Sequence, residues 1–199
     1  MRLFCSPTSP FGRVAHIALR EKGFDFELVM VDPWADDPSL QQVNPATRVP
    51  ALVLDDGTVL TESLLIVQWL ERLRPAPPLF TDARQLQRAG LAIAVIESAA
   101  HTVMGRRAVA PAPFDETAMG LRRRRGILRS LQQLEQSVRQ DCAGQIASGS
   151  SLDAITAVVA QDYLQLRFAG APWLVPTPAL DAWLVEARQR PSYLATAPH

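Results

Sequence analysis

A proline-rich break, Arg74-Pro75-Ala76-Pro77-Pro78, divides the chain into two stretches with different hydrophobic rhythms. Proline lacks a backbone N–H and cannot continue a helix, so this segment reads as a linker. Before it, short apolar runs alternate with helical spacing. Leu3-Phe4-Cys5 reads as a buried strand, and Val14, Ile17, Ala18 and Leu19 recur as on a helix from Pro10 to Gly23, where glycine is a suitable stop. Phe26 to Val31 reads as a second strand. Ala51-Leu52-Val53-Leu54 and Thr58-Val59-Leu60 flank Asp55-Asp56-Gly57, the composition of a hairpin turn. Leu65, Ile66, Trp69, Leu70 and Leu73 then mark a helix over 62–73. A strand, a helix and a second strand imply a parallel pair, to which the hairpin adds antiparallel strands. The segment between Val31 and Ala51 is expected to be irregular.

After the break no strand pattern appears. Residues 82–108, 114–140, 152–169 and 177–190 are expected to be helices, and Ser150-Ser151-Leu152-Asp153 reads as a capping box with Ser150 as cap and Asp153 answering it. The boundaries implied are 1–75 for an α/β domain and 79–199 for an all-α domain. The 199 residues carry 20 Lys+Arg and 20 Asp+Glu. A neutral balance argues against nucleic acid as the main partner. Arg122-Arg123-Arg124-Arg125 reads as a solvated helix face, and Trp69 and Trp183 as core. Two cysteines, Cys5 and Cys142, make neither a disulfide framework nor a zinc site. The opening residues lack a basic n-region and a long apolar h-region, and apolar runs such as 91–96 are too short to span a bilayer. A cytoplasmic protein without a membrane partner is expected.

Three short motifs carry chemistry. Ser9-Pro10-Phe11 lies between the first strand and the first helix. Ser9 suits a helix cap, and the same geometry places a hydroxyl at the positive end of a helix, where it can steady an anion such as a thiolate. In Arg48-Val49-Pro50, the proline is either a plain strand-entry residue or part of a cis bond that presents the Val49 backbone to an extended ligand. Glu62-Ser63 opens a helix. Glu62 there either complements the helix dipole or takes an ammonium while Ser63 takes a carboxylate.

In this order and spacing, Ser9-Pro10-Phe11, Asn44-Pro45, Arg48-Val49-Pro50, Asp56-Gly57 and Glu62-Ser63 resemble the glutathione-binding half of the soluble (cytosolic) glutathione S-transferases. Ser-Pro-Phe is similar to the serine-type tau class and stands where omega-class enzymes carry Cys-Pro-Phe/Tyr. The resemblance implies an α/β thioredoxin-like N-terminal domain followed by an all-α C-terminal domain, paired as a homodimer. It implies glutathione as co-substrate, a small electrophile as second substrate, and no metal or further cofactor. Ser9 would be catalytic, hydrogen-bonding the glutathione sulfur. Phe11, Arg48, Val49, Pro50, Glu62 and Ser63 would bind the tripeptide: Val49 its cysteinyl backbone, Glu62 and Ser63 its γ-glutamyl end, Arg48 its glycyl carboxylate. His101, Met104 and Arg107 would border the electrophile pocket, with packing or surface roles as the alternative. The glutaredoxin-like position holds Ser9 in place of cysteine, and Gly12 stands where a second cysteine would be, so a protein-thiol mechanism is not expected. The stretch 32–43 lacks the basic residue that related enzymes often use for the glycyl carboxylate. The implied function is that of a glutathione S-transferase, activating the thiol of glutathione for attack on small electrophiles in detoxification. A peroxidase, isomerase or ether-cleaving activity on the same scaffold and a non-catalytic interaction module are the alternatives.

Overall fold

Strand β1 (Arg2–Cys5) lies inside a four-stranded sheet of order β2-β1-β3-β4, with β2 (Glu27–Met30), β3 (Ala51–Val53) and β4 (Val59–Thr61). The computed structural model describes residues 1–108 and 113–198. Helix α1 (Pro10–Glu21) makes the crossover between the parallel strands β1 and β2, while β3 and β4 run antiparallel to their neighbours. Leu3, Phe4 and Cys5 are all buried, as befits an inner strand covered on both faces. On one face Phe4, Ala51 and Val53 form a cluster with Val31 and Leu40. On the other, α1 packs against β1 and against α3 (Ser63–Leu73).

Local chemistry explains the turns. Gly23 takes φ 64° just past α1, and the N–H groups of Gly23 and Phe24 donate to the carbonyls of Arg20 and Leu19, closing the helix in a left-handed stop. Gly57, at φ 87°, turns the β3–β4 hairpin, and the Asp56 carboxylate accepts the Thr58 N–H at 2.8 Å. The segment expected to be irregular contains a short helix, α2 (Pro38–Val43). Its start is an Asp-Pro-Ser cap: Asp37 Oδ1 accepts the Ser39 N–H at 2.8 Å, and Pro38 fills a position where no N–H is needed.

The chain divides into two compact units, Met1–Leu79 with Pro191–His199, and Phe80–Arg190. The last helix, α8 (Pro191–Leu194), therefore groups with the sheet, whereas the sequence alone assigned it to the helical half. The Arg13 guanidinium donates to the Tyr193 carbonyl and Thr196 Oγ1, both at 3.4 Å, and Ser192 Oγ donates to Glu21. The single lysine is the least exposed charge of this unit. Lys22 Nζ pairs with the Glu71 carboxylate and donates to the carbonyls of Arg74 and Pro77, both at 2.6 Å. All three ammonium protons are thus engaged, and the proline-rich segment is held from beneath.

In the second unit, α4 (Ala83–Ala108) packs against α5 (Ala118–Asp141) and α6 (Leu152–Phe168). Every residue of α6 from Leu152 to Ala160 is buried, which makes it the core helix. The expected capping box does not form. Ser151 holds the cap position and its Oγ donates to the Ser148 carbonyl, while Ser150 Oγ meets Ser148 Oγ at 3.1 Å. Asp153 instead takes the buried Arg88 of α4, both Nε and Nη2 lying 2.8 Å from Oδ2. An uncompensated buried charge costs about 3–5 kcal/mol against about 1 kcal/mol for a cap, so the ion pair wins.

The helix expected from 114 begins as a 3-10 turn at Phe114–Glu116. Thr117 then caps α5, its Oγ1 accepting the Gly120 N–H at 3.1 Å. The helix expected over 177–190 is broken into α7 (Pro178–Trp183) and a 3-10 turn at Ala187–Gln189. The Glu135 carboxylate fixes α7 by accepting the N–H groups of Ala179 and Leu180. Of the arginine run, Arg122 and Arg125 are exposed, but Arg124 reaches the Asp115 carbonyl and Glu116 and lies 5.7 Å over the Trp173 ring. Four successive helical positions point around the full circumference, so some of the run must face the neighbouring turn. Trp183 is buried as expected; Trp69 is only partly so. Among the described residues no helix is long and apolar enough to cross a membrane.

Candidate functional site

The strand registers bring the three motifs to one end of the sheet. Phe4 of β1 pairs with Ala51 of β3, and Ala51 pairs with Thr61 of β4. Adjacent strands lie about 4.8 Å apart, so the turn after β1, the entry to β3 and the exit from β4 are side by side. These are Ser6–Ser9, Arg48-Val49-Pro50 and Glu62-Ser63, segments separated by some forty and fifty residues in the chain.

Ser9 is the cap of α1. Its Oγ accepts the Gly12 N–H at 3.0 Å and its own N–H donates to the Ser6 carbonyl at 3.2 Å. Pro10 has no N–H, and the Arg13 N–H starts the helical ladder on the Ser9 carbonyl. This leaves two donors at the helix start without a protein acceptor among the described residues: the Phe11 N–H and the Ser9 hydroxyl proton. Both stand at the positive end of a three-turn helix with no acid in its first turn. The capping role and the anion-binding role are therefore compatible, because the cap uses a lone pair and the anion would use the proton.

Val49–Pro50 is a cis bond, and Pro50 stands at the entry to β3. The loop before it is pinned by Asn44, a buried side chain that the sequence reading placed in a motif without giving it a role. Asn44 Nδ2 donates to the Arg48 carbonyl at 2.7 Å, and Asn44 Oδ1 accepts the Ala46 N–H at 3.1 Å. Ser63 is buried at the first position of α3, while Glu62 is exposed just before it. Glu62 has φ 64° and ψ 117°, a conformation that ordinary residues adopt only under constraint from their surroundings. Its carboxylate makes an ion pair with Arg48, Nη2 to Oε1 at 2.6 Å. Arg48 and Glu62, read from sequence as separate anchors, are thus partners here.

Cys5 lies beneath this site. Burial pushes its thiol up to about 11, so it stays protonated and inert, a small apolar side chain as expected from its place on a strand. A Cβ at Gly12 would fall 2.4 Å from Cys5 Sγ, and 3.4 Å from Ser9 Oγ. The absence of a side chain at position 12 is therefore what lets α1 settle on β1 with Ser9 at its tip.

Residues 3–78 match the glutathione S-transferase N-terminal domain. Over its whole length the chain is 30% identical to YibF of Escherichia coli K12, an uncharacterized GST-like protein, of which 98% is covered. The chain belongs to the glutathione S-transferase family. Among solved structures of the family, a glutathione S-transferase from Methylobacterium radiotolerans in complex with glutathione sulfonate superposes with a TM-score of 0.87. The two are 28% identical, with all of this chain and 94% of the other covered. A family member from Pseudomonas fluorescens with bound glutathione gives a TM-score of 0.80 at 30% identity, over 100% and 98% of the two chains.

The remaining candidates lie in the helical unit. His101, Met104 and Arg107 are all exposed near the end of α4. Their spacing of three residues puts them within a third of the helix circumference, on one face. His16, given no role from sequence, is an interior group of α1. It accepts from Arg20 Nε at 2.9 Å, meets the Phe26 ring edge-on, and is pushed down to about 4 by burial and by the Arg20 charge.

Proposed function

We propose that the protein is a glutathione transferase of the serine type, with the tau/omega-like Ser-Pro-Phe start, that holds the glutathione sulfur as a thiolate at the tip of α1. The observation that carries this reading is the pair of unspent donors there, the Ser9 hydroxyl and the Phe11 N–H, beside the cis Val49–Pro50 loop and Glu62-Ser63. A thiol with a pKa near 8.5 is roughly 3% ionised at pH 7. Lowering that pKa by about two units, for about 2.7 kcal/mol, makes it roughly three-quarters ionised. One charge-assisted hydrogen bond and a helix amino terminus are of that size. The thiolate then attacks an electrophilic carbon: a carbon–sulfur bond forms, the bond to the leaving group breaks, and that group departs with the electron pair.

In this reading Ser9 is catalytic. Val49 pairs with the cysteinyl backbone, with Phe11 and Pro50 beside it, Glu62 and Ser63 hold the γ-glutamyl end, and Arg48 meets the glycyl carboxylate. His101, Met104 and Arg107 contact the electrophile. We extend the reading to a cytoplasmic homodimer on the family resemblance alone. The test is the thiolate absorbance of bound glutathione in wild type and Ser9→Ala. Wild type is expected to show the band at pH 7. Ser9→Ala is expected to lose most of it, along with about 1 kcal/mol of stability from the missing cap. A band of equal strength in Ser9→Ala would remove Ser9 from the mechanism.

A further inference from the structure

The end of α4 and the end of α6 meet at a cluster of arginines. The Arg106 guanidinium lies 4.7 Å over the Phe168 ring and donates to the Arg167 carbonyl at 3.4 Å. The acids of this corner are already taken. Asp115 accepts from Arg106 through both oxygens, at 2.8 and 2.6 Å, and Glu116 pairs with Arg124. Arg167 has no such partner among the described residues: its Nε is buried without an acceptor, and its guanidinium carbon stands 5.7 Å over the Tyr163 ring. A buried N–H lacking an acceptor costs more than a ring contact of this kind returns, so the stack on Tyr163 does not by itself account for the placement. Tyr163 is only 6% exposed. Burial raises its phenol above the usual value although the Arg167 and Arg107 charges pull it down, so the hydroxyl keeps its proton and can donate it in a hydrogen bond.

We propose that Arg167 and the Tyr163 hydroxyl form an anion subsite within the helical unit, and that the electrophile taken there carries a carboxylate. This rests on the glutathione reading above, in which Arg107 of α4 contacts the electrophile. Arg107 is near enough to Tyr163 for its charge to act on the hydroxyl, which puts the subsite beside that face of α4. A carboxylate has two oxygens in one plane, one for the guanidinium fork and one for the phenol proton. It also balances a guanidinium that no acid among the described residues balances. A neutral electrophile of the same shape leaves that guanidinium as it stands. The selection acts on the second substrate alone and is independent of how the tripeptide is held.

The test is calorimetric titration with glutathione, with S-(para-carboxybenzyl)glutathione and with the benzoate methyl ester of that conjugate. The two conjugates differ only in the charge at the far end of the S-substituent. Wild type is expected to bind the acid about tenfold tighter than the ester. In Arg167→Gln the two are expected to bind within about twofold of each other, with glutathione and the ester held as by wild type. Tyr163→Phe and Arg167→Lys, which keeps the charge without the fork, are expected to retain part of the preference, and they carry the comparison if Arg167→Gln does not fold. Equal binding of acid and ester by wild type, a preference that survives undiminished in the variants, or binding of glutathione but of neither conjugate overturns the subsite. So does an equal loss of acid, ester and glutathione in a folded Arg167→Gln, which makes Arg167 a packing residue. A wild type that binds none of the three overturns the glutathione reading itself, an outcome distinct from the others.

Discussion

Replacing Gly12 by alanine tests how α1 is seated, and the sign of its effect depends on Cys5. The added Cβ would lie 2.4 Å from Cys5 Sγ, 3.3 Å from Ser9 Cβ and 3.4 Å from Ser9 Oγ. Ordinary contact is about 3.5–4.0 Å, so the sulfur and the helix must separate by about 1 Å. Cys5 is an interior strand residue, 4% exposed, with little room to yield. Overpacking of this kind costs about 1–3 kcal/mol. Against it stands the gain from alanine over glycine inside a helix, about 0.5–1 kcal/mol. The net expectation in wild type is a loss of about 0.5–2 kcal/mol. In a Cys5→Ala background the sulfur is gone and the same Gly12→Ala change is expected to stabilise by about 0.5 kcal/mol or more. The assay is urea denaturation of the four proteins of this double-mutant cycle, with an expected coupling of about 1–3 kcal/mol. If Gly12→Ala has the same effect in both backgrounds, the Cys5–Gly12 contact does not set the position of the helix.

His16 gives a pH signature. Its folded-state pKa is depressed from 6.5 to about 4, so the folded protein binds fewer protons than the unfolded chain between these values. Its contribution is present above pH 6.5 and is lost as pH falls toward 4. The loss amounts to about 3 kcal/mol at most, and to about 1–2 kcal/mol once solvent screening near the exposed Arg20 is allowed for. Melting curves at pH 7 and pH 5 are expected to show a larger drop for wild type than for His16→Gln, and equal drops would refute the assignment. Lys22→Met removes the ammonium from Glu71 and from two carbonyls and is expected to cost about 3–5 kcal/mol. The double variant Lys22→Met/Glu71→Met is expected to recover part of this; a single-variant cost below about 1 kcal/mol would show the buried pair to be idle.

Much of the first unit was legible in the chain because its signals are local. Short apolar runs, an Asp-Gly turn and a glycine after a helix each act within a few residues, and the structure follows them at β1, at the hairpin and at Gly23. The motif residues Ser9, Val49, Pro50, Glu62 and Ser63 were legible as types. Their convergence on one ligand followed from the family resemblance and not from the residues themselves, since it depends on Phe4, Ala51 and Thr61 standing in register. The misplaced cap at Ser150 shows the limit of such reasoning. Asp153 has the spacing of a cap partner, but Arg88, 65 residues away, has the stronger claim on it.

The sequence by itself determined the division into a mixed α/β half and a helical half, and the hydroxyl that opens the first helix. These follow from periodicity, from proline's missing N–H and from turn chemistry, all of which are properties of neighbours along the chain. Only the tertiary structure decided that Arg48 pairs with Glu62, that Gly12 must be bare above Cys5, that the lone lysine is spent on the proline segment, and that the final helix returns to the sheet. Each of those is a contact between residues of different elements, settled by which charge or volume finds a partner once the strands are in register.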